Sequence, residues 1–177
     1  MEIIQIKSAN DEYIQKLLPL YREAFPENQR HTDDDFIALL GREPDFFCNA
    51  VLMNNSFVGF FNYWNFGWFL YAEHFAIEEA IRGNKLGEKV MNMMKPAQNI
   101  PLVFEVELPD DEMAARRIEF YRRLGYEIVP VDYLQPPYNK QGYYQPLHLM
   151  TDQVEFVLDN YEKIKSTIYR RVYHVME

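Results

Sequence analysis

Residues 81–90, IRGNKLGEKV, set two glycines, an arginine and two lysines between an apolar run ending at Ile77 and a stretch of helical periodicity. A strand stopping there, followed by a helix starting near Asn84 or Lys85, would bring the unpaired N–H groups of the first helical turn together with the positive end of the helix dipole. Gly83 and Gly87 remove side-chain bulk where backbone would have to wrap an anion. Arg82, Asn84, Lys85, Leu86 and Glu88 complete the cradle, and a pyrophosphate fits its chemistry. Taken alone, the pattern is equally that of an ordinary turn glycine before a helix. Just upstream, Glu73 shares the face of an alternating strand with Phe75 and Ile77. Aromatic neighbours such as Tyr71 and Phe75 predict a desolvated carboxyl with a raised pKa, the condition that suits a general base. His74 faces the other way unless a bulge turns it in. Glu105 and Glu107 share a face of a later strand and are the alternative bases. His31, His74, His148 and His174 are scattered without ligand spacing, so no metal set is expected.

The elements that must hold these groups follow from periodicity. EIIQIK at 2–7 predicts a first strand, and NDEYIQKLLPLYREAF a helix capped by Asn10 or Asp11. TDDDFIALLGRE opens a second helix with Thr32 and three aspartates. FFCNAVLM, SFVGFFNYWNF and WFLYAEHFAI predict a three-stranded meander, with turns at NNS (54–56) and Gly67. A helix from about Asn84 to Lys95 stops at Pro96; a strand PLVFEVEL, a helix DDEMAARRIEFYRRLG ended by Gly125 and a strand YEIVPVDY come next. NKQGYY is read as a loop and YQPLHLM as a strand. The C-terminal segment 151–177 reads as one amphipathic helix with Val154, Leu158, Tyr161, Ile164, Ile168 and Val172 on one face. The whole is an α/β chain around a mixed sheet, residues 1–150 forming the domain and 151–177 a helix packed on it or extending it.

Composition narrows the function. The 177 residues suit one domain with one site, and 48% apolar with 16% aromatic residues exclude a disordered chain. A formal charge of −9 opposes nucleic acid and anionic lipid and favours a cationic partner. Cys48 is the single cysteine, so there is no intrachain disulfide and no Cys-based zinc site. No apolar run approaches the roughly 20 residues that span a bilayer, and the N-terminus lacks the apolar core of a signal peptide, so a cytoplasmic location is expected.

AEHFAIEEAIRGNKLGEKVM, followed some thirty residues on by RRIEFYRRLGYEI, resembles the GCN5-related N-acetyltransferase (GNAT) family. That family carries an apolar strand, a turn, Arg/Gln-x-x-Gly-x-Gly/Ala and a helix, then a later helix with Phe-Tyr-x-x-x-Gly-Phe/Tyr. The resemblance implies the acyl-CoA N-acyltransferase fold, a mixed central sheet splayed between strands four and five with helices on both faces. It also implies acetyl-CoA as co-substrate, its pyrophosphate on the 82–88 loop and its pantetheine on the amides of Phe75, Ala76 and Ile77. Arg116 or Arg117 is given a minor role beside the adenosine phosphate. Tyr121 stands where the family's general acid protonates the departing thiolate, and Glu73 where a carboxylate often serves as base. Two departures are visible: Lys85 occupies the first glycine position, and Ala114 replaces an asparagine that contacts the CoA arm.

The resemblance places the acceptor between the loops FPENQRHTDDD and YLQPPYNKQGYYQ. Glu27, Asp33, Asp34 and Asp35 with Phe25, Tyr133, Tyr138, Tyr143 and Tyr144 would suit a primary amine, small molecule or peptide, with some apolar body. Acids before a helix are also ordinary capping charges. The expected activity is N-acetyl transfer by direct attack in a ternary complex. The alternative is a non-catalytic CoA-binding sensor or interaction module of the same fold, and the C-terminal helix leaves a homodimer open.

Overall fold

The structure is a computed structural model describing residues 1–83, 85–95, 100–139 and 142–175. Its contacts divide the chain into two compact units, Met1–Gly67 with Ala72–Lys95, and Trp68–Tyr71 with Pro96–Glu177.

The first unit begins with β1 (Glu2–Ile6), α1 (Ile14–Ala24) and α2 (Asp33–Leu39). Helix α1 buries Ile14, Leu17, Leu20 and Tyr21, and it continues through Pro19. The predicted Asn10 or Asp11 cap is shifted: Asp11 accepts instead from the N–H of Tyr13, the residue before the helix. Thr32 does cap α2, its hydroxyl accepting from the N–H of Asp35, with three aspartates in the first turn. The meander comprises β2 (Phe46–Met53), β3 (Ser56–Asn65) and β4 (Leu70–Ile77). Asn54 and Asn55, at φ 50° and 62°, make the two-residue turn that pairs Met53 with Ser56. Strand β2 pairs antiparallel with β1 as well as β3. One face of the β2–β3 pair carries Phe46, Phe60 and Trp64, and Tyr21 and Phe36 pack against it with ring centroids 4.9–6.0 Å apart. Burying an aromatic side chain contributes roughly 1.5–3 kcal/mol, so this cluster holds the helices on the sheet. Helix α3 (Leu86–Met94) ends the unit, with Leu86, Val90, Met91 and Met94 buried.

The second unit takes the first residues of β4, where the N–H of Leu70 donates to the carbonyl of Pro101, and adds β5 (Leu102–Glu107), α4 (Glu112–Arg123), β6 (Glu127–Ile128), β7 (Tyr133–Gln135) and β8 (Gln145–Thr151). Strand β8 pairs antiparallel with β5, β6 and β7. The expected strand YEIVPVDY is two short strands, because Pro130 has no N–H to give a ladder. The expected single C-terminal helix is also two, α5 (Val154–Asp159) and α6 (Tyr161–Arg171). They separate at Asn160, at φ −118° and ψ 14°, whose backbone N–H and side-chain amide both donate to the carbonyl of Phe156. The break changes the buried face: Val157, Ile164, Ile168 and Val172 are inside, and Leu158 is exposed.

Within the first unit the strand order is β1-β2-β3-β4, and within the second it is β5-β8-β6 with β7 also on β8. Among the described residues no helix is long and apolar enough to cross a membrane.

Candidate active site

The cradle is built at the end of β4. The Glu78 N–H donates to the Val58 carbonyl, a 3-10 turn spans Glu79–Ile81, and Arg82 donates from Nε to the Ile77 carbonyl at 3.0 Å. Arg82 thus pins the turn. Gly83 has φ 96° with open space where a Cβ would stand, and Lys85 is left-handed at φ 55°, ψ 20° immediately before α3. A left-handed residue there is why glycine is the ordinary occupant, since L-residues pay roughly 1–2 kcal/mol for that conformation. Lys85 is exposed, Gly87 is the second residue of α3, and Glu88 adds a carboxylate to its first turn. Helix α3 therefore starts at Leu86, slightly later than expected, and Asn84 lies outside the described residues. Ala76 and Ile77 are buried and Phe75 half-buried.

A residue that periodicity does not single out shapes this strand end: a Cβ on Gly59 of β3 would stand 2.4 Å from the Ala76 carbonyl oxygen. Only glycine lets β3 come this close to β4.

Glu73 departs furthest from expectation. Its side chain is fully buried, as predicted, but its two oxygens are both engaged: Oε1 with His31 Nε2 and Oε2 with Trp64 Nε1, each at 2.8 Å. Burial raises the carboxyl pKa, yet the His31 charge and hydrogen bond, the charge of His74 and the Trp64 N–H outweigh it and bring the value down to about 2. The expectation of a raised pKa is reversed because His31 lies against the desolvated carboxyl, with His74 and the Trp64 N–H adding to its effect. His74 does not simply face away: its Nδ1 lies 3.9 Å from Glu73 Oε1, and its Nε2 meets the Gln29 carbonyl at 3.0 Å. Neighbouring residues 73 and 74 thus both reach the 29–31 segment. Burial holds His74 down at about 4, and Tyr21 and Phe25 rings enclose it at 4.9 and 4.5 Å.

In the second unit Tyr121 lies on α4, half-buried, with ring contacts to Phe104, Phe120 and Tyr126. Burial pushes its hydroxyl pKa up, against the smaller effect of Arg117. Ala114 is buried beside the Asp111 cap, which accepts from its N–H. Arg116 pairs with Glu112 at 2.5 Å and is largely exposed; Glu119 pairs with Arg122, and Arg117 with Glu107. The two alternative bases therefore differ. Glu107 is half-exposed in its ion pair, whereas Glu105 accepts from Tyr133, Gln135 and Tyr173, and burial raises its pKa.

Of the acceptor-loop residues, Asp33 pairs with Arg22 and Asp35 accepts from the Thr32 hydroxyl, which makes both of them capping and pairing charges. Glu27 opens a 3-10 turn. Tyr133 is buried on Glu105, Tyr138 meets the Tyr173 ring at 4.9 Å, and Tyr143 and Tyr144 are exposed. Within NKQGYY, residues 140 and 141 lie outside the described residues. Among the described residues no group of three or more His, Cys, Asp or Glu side chains is arranged to hold a metal ion.

The strand that ends in a glycine-relieved turn before a helix N-terminus, and the later helix carrying Phe120-Tyr121 ahead of Gly125, both form where the family resemblance put them. The profile of the acetyltransferase (GNAT) family matches residues 14–126, and the chain belongs to that family. A protein of Bacteroides thetaiotaomicron assigned by its description to the same family superimposes with a TM-score of 0.93 at 30% identity, covering 99% of this chain and 100% of that one. Weaker likenesses, showing the fold alone, are to an aminoglycoside 6'-N-acetyltransferase complexed with coenzyme A (TM-score 0.63, 19% identity, 87% and 97% covered) and to Arabidopsis thaliana Naa50 with the bisubstrate analogue CoA-Ac-MVNAL (0.59, 16%, 86% and 99%). No curated protein matches the chain at the sequence level.

Proposed function

We propose that the protein transfers an acetyl group from acetyl-CoA to a primary amine by direct attack in a ternary complex. The observation that carries this reading is the turn from Arg82 into α3. Gly83 at positive φ, Lys85 in the left-handed region and the unpaired first-turn N–H groups of a nine-residue helix form a cradle suited to pyrophosphate. The backbone of Phe75 to Ile77 offers amides to the pantetheine and thioester, and the exposed Arg116 is available to an adenosine phosphate.

Removal of the amine proton falls to the Glu73 site. Tyr121 returns a proton to the departing thiolate; a hydroxyl whose pKa is raised by burial is fully protonated at neutral pH, the state an acid needs. The acceptor class is a small-molecule or peptide amine. Coenzyme A in one similar structure and a CoA-peptide conjugate in another support both halves of this reaction, and the charge of −9 favours a cationic acceptor. A cytoplasmic location accords with the single, buried Cys48.

Calorimetric titration with acetyl-CoA tests the reading. Micromolar binding is expected, abolished in Gly83→Glu, which puts a carboxylate into the cradle; absence of binding in the wild type would refute it. The full engagement of both Glu73 oxygens favours one other reading, a CoA-binding sensor without turnover. Tyr121→Phe separates the two: kcat falls with acetyl-CoA affinity kept if the protein is an enzyme.

A further inference from the structure

Strand β7 is short, and its ladder with β8 spans only Tyr133–Gln135. Around it stands a set of hydroxyl donors from the C-terminal helix. Tyr161 donates to the Asp132 carbonyl at 2.8 Å, and Tyr169 donates to the Leu134 carbonyl. Tyr173, four residues after Tyr169, donates to Glu105 Oε2 at 2.7 Å. The side chains of Tyr133 and Gln135 donate to the same carboxylate of β5. Along residues 132–135 the chain is therefore held alternately, through backbone carbonyls by α6 and through side chains by Glu105.

The loop beyond β7 is braced by the same end of the chain. Pro136 and Pro137 have locked φ angles, and the Tyr138 ring meets the Tyr173 ring at 4.9 Å. A Cβ on Gly142 would stand 2.5 Å from the Pro137 Cβ, so glycine lets the loop fold back on its own proline, where the Gly142 N–H donates to the Asn139 carbonyl. Burial of Ile164, Ile168 and Val172 already supplies α6 with an apolar face. That contribution is non-directional, whereas a hydroxyl aimed at a carbonyl fixes position and orientation. Leu134, between the buried Tyr133 and Gln135, keeps its side chain 49% exposed on this fixed backbone.

We propose that α6 is a strap that holds residues 132–138 in one conformation, with Glu105 as its anchor, and that the fixed shape of this segment serves acceptor recognition. The recognition role rests on the acetyl-transfer reading above, in which the family resemblance sets the acceptor against this loop. Tyr161, Tyr169 and Tyr173 are positioning residues, since they touch backbone and carboxylate rather than reacting atoms. With the strap loosened, the cost of ordering the segment falls on amine binding, and the acetyl-CoA side of the reaction is spared.

The test is residue-resolved amide hydrogen exchange of the full chain, wild type against Tyr161→Phe/Tyr169→Phe, with steady-state kinetics on the same proteins using acetyl-CoA and a panel of primary amines. Each lost hydroxyl-to-carbonyl bond is expected to speed exchange at Tyr133, Leu134 and Gln135 by roughly two- to tenfold, with the amides of β2 and β3 unchanged. For amines that are acetylated, KM should rise by about threefold or more, with kcat within about twofold and acetyl-CoA affinity kept. Exchange at 133–135 left at the wild-type rate, or accelerated equally in β2 and β3, would overturn the strap. A loosened segment with unchanged amine KM would refute the recognition role. Should no amine be acetylated by the wild type, the acetyl-transfer reading falls and the recognition role with it, while the exchange rates still decide the strap. If the double variant does not fold, Tyr161→Phe alone, at the exposed hydrogen bond, is read against the same outcomes.

Discussion

Glu73 and His74 are adjacent, both buried, and both held in the protonation state that burial and partners jointly select. Glu73 has a folded pKa of about 2, below its ordinary 4.5, so its contribution to stability is full above 4.5 and is lost as pH falls toward 2. His74 sits at about 4 instead of 6.5 and must charge to unfold in mild acid; that contribution is complete above 6.5 and disappears as pH falls to 4. A displacement of that size corresponds to about 3 kcal/mol. Urea midpoints measured from pH 7 to 4 should therefore decline in the wild type and decline less in His74→Phe, which keeps an aromatic ring between Tyr21 and Phe25. A parallel decline in both proteins would contradict the assignment. Neither pKa was legible in the sequence. His31 and Glu73 are 42 residues apart, and no local spacing announces that a loop histidine will meet a strand carboxylate. Trp64 is a fully buried core ring and a hydrogen-bond donor to Glu73 as well.

Elements were legible where local chemistry decides them and obscure where it does not. Thr32 with three aspartates, the Asn54-Asn55 turn and the Asp111-capped helix all form where the sequence points, because each is a contact within a few residues. The C-terminal helix was misread because its apolar spacing continues across Asn160 while the backbone does not. Two loop-and-strand predictions belong here. Lys85→Gly should leave stability unchanged or raise it by up to about 1 kcal/mol, since relief of the left-handed strain offsets glycine's added chain entropy; acetyl-CoA affinity should fall with the lost positive charge. A thermal melt beside a calorimetric titration reads both. Gly59→Ala should destabilise by about 1–3 kcal/mol or more, because its Cβ meets β4 backbone rather than a movable side chain. An unchanged melting temperature would show that β3 and β4 can separate at no expense.

At the scale of the molecule, each unit surrounds a buried carboxylate, and the two are tuned oppositely. Glu105 gathers Tyr133, Gln135 and Tyr173, joining β5 to β7 and to the chain beyond α6, with burial as the leading influence raising its pKa. Its folded state prefers the protonated form, so this group's contribution falls as pH rises from the ordinary carboxyl value through the raised one. Glu105→Leu removes the shared acceptor of three donors and should destabilise by upwards of about 3 kcal/mol, since buried donors left unpaired cost roughly 1–3 kcal/mol each. Chemical denaturation of the variant at pH 7 checks it, and a loss below 1 kcal/mol would mean the donors find other acceptors. The family was legible in two short motifs, and the profile match over residues 14–126 agrees with them. The acceptor was not: Asp33 and Asp35, which the sequence offered as its recognition charges, pair within the chain.

The central claim is acetyl transfer to an amine, and the most direct measurement is thiol release from acetyl-CoA with each amine of a panel, followed by mass spectrometry of the amine. Thiol release that depends on the amine, matched by gain of one acetyl group on nitrogen and sharply reduced in Tyr121→Phe, is the predicted result. Acetyl-CoA bound in the cradle with no amine acetylated would contradict the claim and leave a CoA sensor in its place.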